Sequence, residues 1–510
     1  MASVLKKLAG DTAVYGLSSI VGRLLNYLLV PLYTRVFAPD EYGIVTDIFA
    51  YIGFFLVILT YGMETAFFRF SEKNKTSESV YSTALVSLAV TSLLFIGLMY
   101  FLSDLTASAL KYPEHGNFVL IMSIVVALDA FTSLPFAKLR LENKAMKFAK
   151  FKLLNIGTNI GLNLFFLLLL PSVLKDNSES FLSIFYVEDF GVGYIFLSNL
   201  IASLLSLVLF VPDILKTKFL ISIQLLKTML RYAMPLLFAG LAGMINEVLD
   251  RILLKYFISV PDDIANTAEE TDYIFSQIGI YGANYKLAIL ITLFIQAFRY
   301  AAEPFFFAQK DKADATKTYA AMMKYFMIFG IAMFLFVILY LDIFQHFIGE
   351  DYREGLGIVP ILLAASLFLG AVYNLSVWYK LTDKTKVGMN VALIGAGVTI
   401  VLNIILIPIL GYVGSAWATF FCYLSMMLIS YYLGQKHFPI PYELKRIGLY
   451  AALALAIYLI HDFVPVKNQT LNLIRATILL GIYGFAVIYT ENWASRIWAY
   501  VVKLKSKLKK

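Results

Sequence analysis

The sequence predicts an all-α, polytopic membrane fold, and three observations carry the prediction. Of its 510 residues, 60% are hydrophobic and 15% charged, and the mean hydropathy is +0.77, which lies well outside the composition of an ordinary soluble domain. The apolar residues fall into long runs, about fourteen of which reach the roughly 20 residues that a spanning helix needs. The basic and acidic residues alternate between the breaks that separate those runs.

The expected spans cover approximately residues 11–36, 42–68, 80–103, 117–140, 151–174, 191–212, 228–258, 277–303, 319–341, 355–379, 387–409, 413–434, 446–462 and 472–490. So many apolar runs in succession, with short polar breaks, leave no surface for a soluble fold. If the N-terminus is cytoplasmic, the inner loops hold Arg69, Lys73 and Lys75, then Lys138, Arg140, Lys144, Lys147, Lys150 and Lys152, then Lys216, Lys218 and Lys227. Lys310, Lys312, Lys317, Lys380, Lys384 and Lys386 fall on the same side. The outer loops hold Asp40 and Glu41, Asp176 with Glu179, Glu188 and Asp189, and Asp262, Asp263, Glu269, Glu270 and Asp272. This is the positive-inside pattern, and an even number of spans places both termini in the cytoplasm. One missed or extra span would put basic loops on both sides.

The spans group into an N-terminal lobe of six helices (1–215), a second six-helix lobe (216–434), two extra helices (435–490) and a basic cytoplasmic tail (491–510). The tail, with Arg496, Lys503, Lys505, Lys507, Lys509 and Lys510, suits an anionic lipid surface rather than nucleic acid. The net charge of +8 belongs to this inner-face bias. The single cysteine, Cys422, excludes an internal disulfide framework and lies in an apolar run. The histidines, His115, His346, His437 and His461, are scattered, so no metal cluster is expected. The apolar run after Lys6 and Lys7 is too long for a signal-peptide core and contains Arg23, so no cleavable signal is expected. Every loop is short, the longest being expected between about Phe257 and Gln277. Without a sizeable loop to hold a nucleophile, acid, base or metal, no catalytic residue is expected.

A faint internal echo relates the two lobes. TRVFAPDEYGIV (Thr34 to Val45) and LLKYF (Leu253 to Phe257), followed after a loop by IGIYGA, share a cation then Val/Tyr-Phe, and a later Tyr-Gly, at matching helix boundaries. Six-helix halves repeated in the same orientation imply two lobes related by an axis along the membrane normal, as in transporters.

Ionisable residues inside a membrane are costly and face a bundle interior or a watery cavity. Arg23 sits mid-span, with Ser19, Asn26 and Tyr27 at helical spacing around it, and Arg251, Lys286 and Arg299 offer cations at other depths. A guanidinium matches phosphate oxygens with paired hydrogen bonds. Lys255 and Glu303 lie close enough to helix ends to reach the interface, and Asp47 is expected to be solvated. Glu64, Asp129, Glu247 and Asp250 are the acidic counterpart, candidates for a coupling cation or proton. Glu247, Asp250 and Arg251 share one helix face, where an ion pair between Glu247 and Arg251 is the structural alternative. Asn155, Asn159 and Asn163 form a stripe that serves either interhelical hydrogen bonds or sugar hydroxyls.

The segments YGLSSIVGRLLNYLLVPLYTRVFAPDEYGIV (Tyr15 to Val45), LDRILLKYF and IGIYGANYKLA resemble the Wzx-type polysaccharide exporters, the oligosaccharide flippases of the multidrug/oligosaccharidyl-lipid/polysaccharide exporter superfamily. The resemblance covers essentially the whole chain. It implies a MATE-like, V-shaped transporter of two lobes that moves an undecaprenyl-diphosphate-linked oligosaccharide between leaflets by alternating access. Carried over, a cationic cavity falls on Arg23, Arg251, Lys286 and Arg299.

The expected function is therefore a lipid-linked oligosaccharide flippase of a bacterial inner membrane, coupled to Na+ or H+, with membrane lipids and polysaccharide polymerase or assembly proteins as further partners. No resident cofactor is expected. The rivals are a cation-coupled multidrug antiporter of the same superfamily, a membrane glycosyltransferase or ligase, and a non-transporting assembly scaffold.

Overall fold

The computed structural model describes residues 20–73, 77–177, 180–218, 220–267, 269–309, 312, 314–382, 384–464, 466 and 468–491. The start of the first expected span and the basic tail from residue 492 on lie outside the described residues. Among the described residues the regular structure is helical, and thirteen helices are long and apolar enough to cross a membrane. The chain is a multi-pass membrane protein.

Residues 20–27 are helical and lead into α1 (Val30–Val36). α2 (Pro39–Thr60) starts on Pro39, whose fixed φ suits a first helical position, and the Glu41 carboxylate accepts from the backbone N–H of Ala38. It ends at Tyr61 and Gly62, both at positive φ, so the second span breaks there and resumes as α3 (Met63–Lys73). Then come α4 (Ser77–Ala109), α5 (Gly116–Leu141) and α6 (Ala145–Leu164). α6 passes through a π-helical turn at Phe165–Leu169 into α7 (Leu170–Asp176). α8 (Gly193–Leu215) and α9 (Ile223–Phe257) precede α10 (Glu269–Gln309). α11 (Ala315–Leu339), α12 (Val359–Leu375), α13 (Val377–Leu381), α14 (Thr385–Leu410), α15 (Tyr412–His437), α16 (Leu444–Phe463) and α17 (Gln469–Thr490) complete the chain.

One expected boundary is corrected. The acidic stretch before Gln277 is not mostly loop, because α10 begins at Glu269 and carries Glu269, Glu270 and Asp272 in its first turn. Negative side chains there oppose the positive end of the helix dipole and stabilise the start.

The helices sort into two compact units. The first holds the described residues within 1–286, 348–355 and 392–422. Helix association in lipid gains little from apolar burial and depends on close packing and polar pairs. Accordingly α2 meets α10 through glycines: a Cβ on Gly43 would collide with the Phe275 carbonyl, one on Gly279 with the Pro39 carbonyl, and one on Gly282 would lie 2.6 Å from the Thr46 hydroxyl. A core of Met63, Phe67, Tyr81, Leu85, Leu134 and Met229 joins α3, α4, α5 and α9.

The second unit holds the described residues within 287–347, 356–391 and 423–510. α11 is its hub, packed against α12, α16 and α17. The Lys324 ammonium on α11 lies 2.8 Å from both Glu443 and Glu491, and Arg446 also reaches Glu491 at 3.0 Å. Asn472 donates to Asp342 at the other end of α17, so polar contacts fasten the last helix at both ends.

Candidate functional site

In the first unit, α9 presents two charged turns. One turn carries Asp250 and Arg251, and both are buried. The Arg251 guanidinium lies 3.3 Å from the Asp250 carboxylate and 4.2 Å over the Tyr285 ring, and it donates to the Glu247 carbonyl at 2.7 Å. Tyr281 and Thr419 donate to the other Asp250 oxygen at 2.5 and 3.4 Å. The structural alternative of a Glu247–Arg251 ion pair is thus not what forms. Asp250 takes the guanidinium, and Glu247 contributes its backbone oxygen while its own side chain is exposed. Lys286, half-buried and next to Tyr285, lies within electrostatic reach of Arg251 and Glu247.

One turn further along α9, the expectation that Lys255 reaches the interface and that Asp47 is solvated is overturned. Lys255 donates to Asp47 on α2 at 2.6 Å, and both side chains have 0% exposure. The ammonium lies 4.8, 5.2 and 5.6 Å from the rings of Tyr51, Tyr256 and Tyr112. The physical reason is that α2 packs along α9, closing the route to water that a lysine near a helix end otherwise uses. Helical spacing carried a signal for this. Lys255 follows Arg251 by four residues, so the face that buries one buries the other.

The remaining first-unit candidates are dispersed. Arg23 and Asn26 are exposed on the helical residues 20–27. Asn159 and Asn163 are buried together, with Asn163 donating to the Asn159 side chain at 3.2 Å and accepting from Tyr33 at 2.9 Å. Glu64 pairs with Arg140. Asp129 accepts from Ser203 at 2.8 Å.

In the second unit Arg299 stands over the Tyr373 ring at 4.1 Å. It lines a cavity with Phe298, Phe306, Tyr373, Asn374 and Lys380, into which the aromatic rings offer stacking surfaces. The buried Asn374 amide oxygen has no hydrogen-bond donor among the described residues. The side chain of Glu303 lies outside the described residues.

The arrangement separates satisfied charges from unsatisfied ones. Among the described residues, Arg23, Lys286 and Arg299 make no ion pair, whereas Glu64, Asp129 and Asp250 each hold a donor. No group of three or more His, Cys, Asp or Glu side chains that could hold a metal occurs among the described residues.

A family model described as "Polysaccharide biosynthesis protein" matches residues 8–310, more than half of the chain. No curated protein sequence matches it. Among solved structures the chain is similar to the lipid II flippase MurJ in an inward closed conformation, at 14% identity and a TM-score of 0.71, over 93% of this chain and 99% of that one. It is similar to an inward-facing MATE family multidrug resistance transporter of the MOP superfamily, at 14% identity and a TM-score of 0.62, over 84% of this chain and 95% of that one. A MOP superfamily transporter from Pyrococcus furiosus, described as having a binding pocket of reversed polarity, gives 14% identity and a TM-score of 0.53, over 84% of this chain and 95% of that one. These likenesses establish the fold that the resemblance implied.

Proposed function

The chain belongs to the polysaccharide biosynthesis protein family, and on that premise we propose that it is a flippase carrying an undecaprenyl-diphosphate-linked oligosaccharide across a bacterial inner membrane. The observation that supports this reading is the balance of unsatisfied charge. Arg23, Lys286 and Arg299 are cations without a carboxylate partner among the described residues, while most of the intramembrane carboxylates are already engaged. Such a surplus favours an anionic headgroup over a cationic drug. The diphosphate would engage Arg23, Lys286 and Arg299, with Arg251 adding positive potential from within its pair. Asn26, Asn159 and Asn163 and the aromatic rings beside Arg299 would meet the sugars.

The lipid tail stays in the bilayer while the headgroup crosses, so only the polar part needs a path. Glu64, Asp129, Glu247 and Asp250 are the carboxylates at which Na+ or H+ would couple, and Glu247 is the exposed one. Both termini would be cytoplasmic, and the six-helix lobes at 1–215 and 216–434 with the two helices at 435–490 would be the moving parts.

Vesicles containing the purified protein test the substrate class. A fluorescent polyprenyl-diphosphate oligosaccharide should exchange between leaflets, and a lipophilic cationic dye should not be driven across. Dye transport without lipid exchange would assign the chain to the multidrug antiporters instead.

A further inference from the structure

The Asp47–Lys255 pair is absorbed by none of the roles above. A fully buried ion pair is no simple source of stability, since the desolvation of two charges offsets most of their attraction. Its setting gives it a different meaning. Three chain segments that the charge pattern places on the outer side converge on it within the first unit: the α1–α2 turn, the end of α9 with the start of α10, and residues 348–355.

These segments interlock. The Thr34 hydroxyl accepts from the Gly349 N–H at 3.0 Å, and Tyr352 donates to the Phe37 carbonyl at 2.8 Å. Gly43, Gly279, Gly282 and Gly349 are each closed over by backbone or side-chain atoms of a facing segment. The Tyr-Gly pairs of the sequence echo, Tyr42-Gly43 and Tyr281-Gly282, both belong to this seam. Asp47 and Lys255 lie below it, joined at 2.6 Å, with the Tyr112 hydroxyl beside the Asp47 carboxylate.

We infer that the seam is an outer closure of the transport path and that Asp47–Lys255 is its charge latch. Parting α2 from α9 and α10 hydrates both ions, and bringing them together restores a neutral, dry pair, so the contact has two self-consistent states. Delivery of the headgroup to the outer leaflet requires the latch to open. This inference rests on the transporter reading.

A reversible cross-link tests it. The Cβ that Gly282 lacks would lie 3.2 Å from Thr46 Cβ, within a few tenths of an ångström of the separation a disulfide takes, about 3.5–4.5 Å. Substituting Thr46 also removes the atoms that would obstruct the new side chain. Thr46→Cys/Gly282→Cys in a Cys422→Ser background should cross-link on oxidation, as read by mass after proteolysis. Leaflet exchange of the fluorescent diphospholipid should then fall in proportion to the cross-linked fraction and return with dithiothreitol. Complete cross-linking with undiminished exchange would overturn the latch.

A second readout is independent of the substrate. Thr46→Cys in the same background should react slowly with a membrane-impermeant maleimide from outside, faster when Asp47→Asn is added, and slowly again with the exchanged pair Asp47→Lys/Lys255→Asp. Equal reaction rates in all three would also overturn the latch. Absence of exchange before oxidation, with the labelling pattern intact, would count against the substrate reading alone.

Discussion

Lys255 has no access to water, and its partner lies 208 residues away in the chain. Removing one member leaves the other charged and unpaired in a dry site, which costs about 3–5 kcal/mol. Asp47→Ala should therefore lower thermal stability in detergent sharply, while Asp47→Leu/Lys255→Met, which removes both charges, should stay near the native value. Differential scanning fluorimetry separates the two. At Glu491, just beyond the end of the last span, burial raises the carboxyl pKa, but hydrogen bonds from Lys324, Tyr450 and Arg446 outweigh it and hold the group below the usual glutamate range. A depressed folded pKa stabilises the protein above the unfolded value, and that contribution is lost as pH falls through the folded one. Melting temperature should thus drop on acidification below the ordinary glutamate range, and the drop should be shallower in Glu491→Gln. The sequence made the intramembrane charges conspicuous, because each stands out against an apolar run. It could not supply their partners, since Asp47, Tyr281 and Thr419 reach α9 only through the fold. Arg251 therefore reads as a cavity cation and Lys255 as an interface one, although each is in fact paired.

At the scale of the helices, the apolar runs match thirteen spans in order among the described residues, with α10 extended at both ends and α9 at its start. Those extensions follow from groups that hydropathy treats as loop. The acidic first turn of α10 is stabilised by the helix dipole, and Pro39 starts α2 where a polar break alone would leave the boundary open. The break at Tyr61–Gly62 was not legible, because only Gly62 marks it in an otherwise continuous pattern. Helix contacts were equally hidden. Nothing in a single sequence distinguishes Gly279, closed over by the Pro39 carbonyl, from Gly157, which has open space around it. The two glycines give a direct comparison. Gly279→Ala should destabilise the α2–α10 contact by about 1–3 kcal/mol through overpacking, whereas Gly157→Ala should be neutral or slightly stabilising on helix propensity alone. Thermal denaturation of the two variants side by side checks this.

Across the whole molecule, the fold that the resemblance implied is the fold observed, and the family assignment joins it to polysaccharide biosynthesis. The candidate site was legible as a set of charges but not as a sorting of them. Geometry divides the cations into paired ones, Arg140, Arg251 and Lys255, and ones without an ion-pair partner among the described residues, Arg23, Lys286 and Arg299. That division is what points to an anionic cargo. Leaflet exchange of a fluorescent polyprenyl-diphosphate oligosaccharide, measured in vesicles holding the native protein, Arg23→Ala or Arg299→Ala, tests it most directly. Each substitution removes a charge-assisted contact, so exchange at limiting substrate should fall roughly ten- to a hundredfold while the protein stays folded. Native exchange rates in both variants would contradict the cationic site, and no exchange by the native protein with any glycan lipid would contradict the flippase itself.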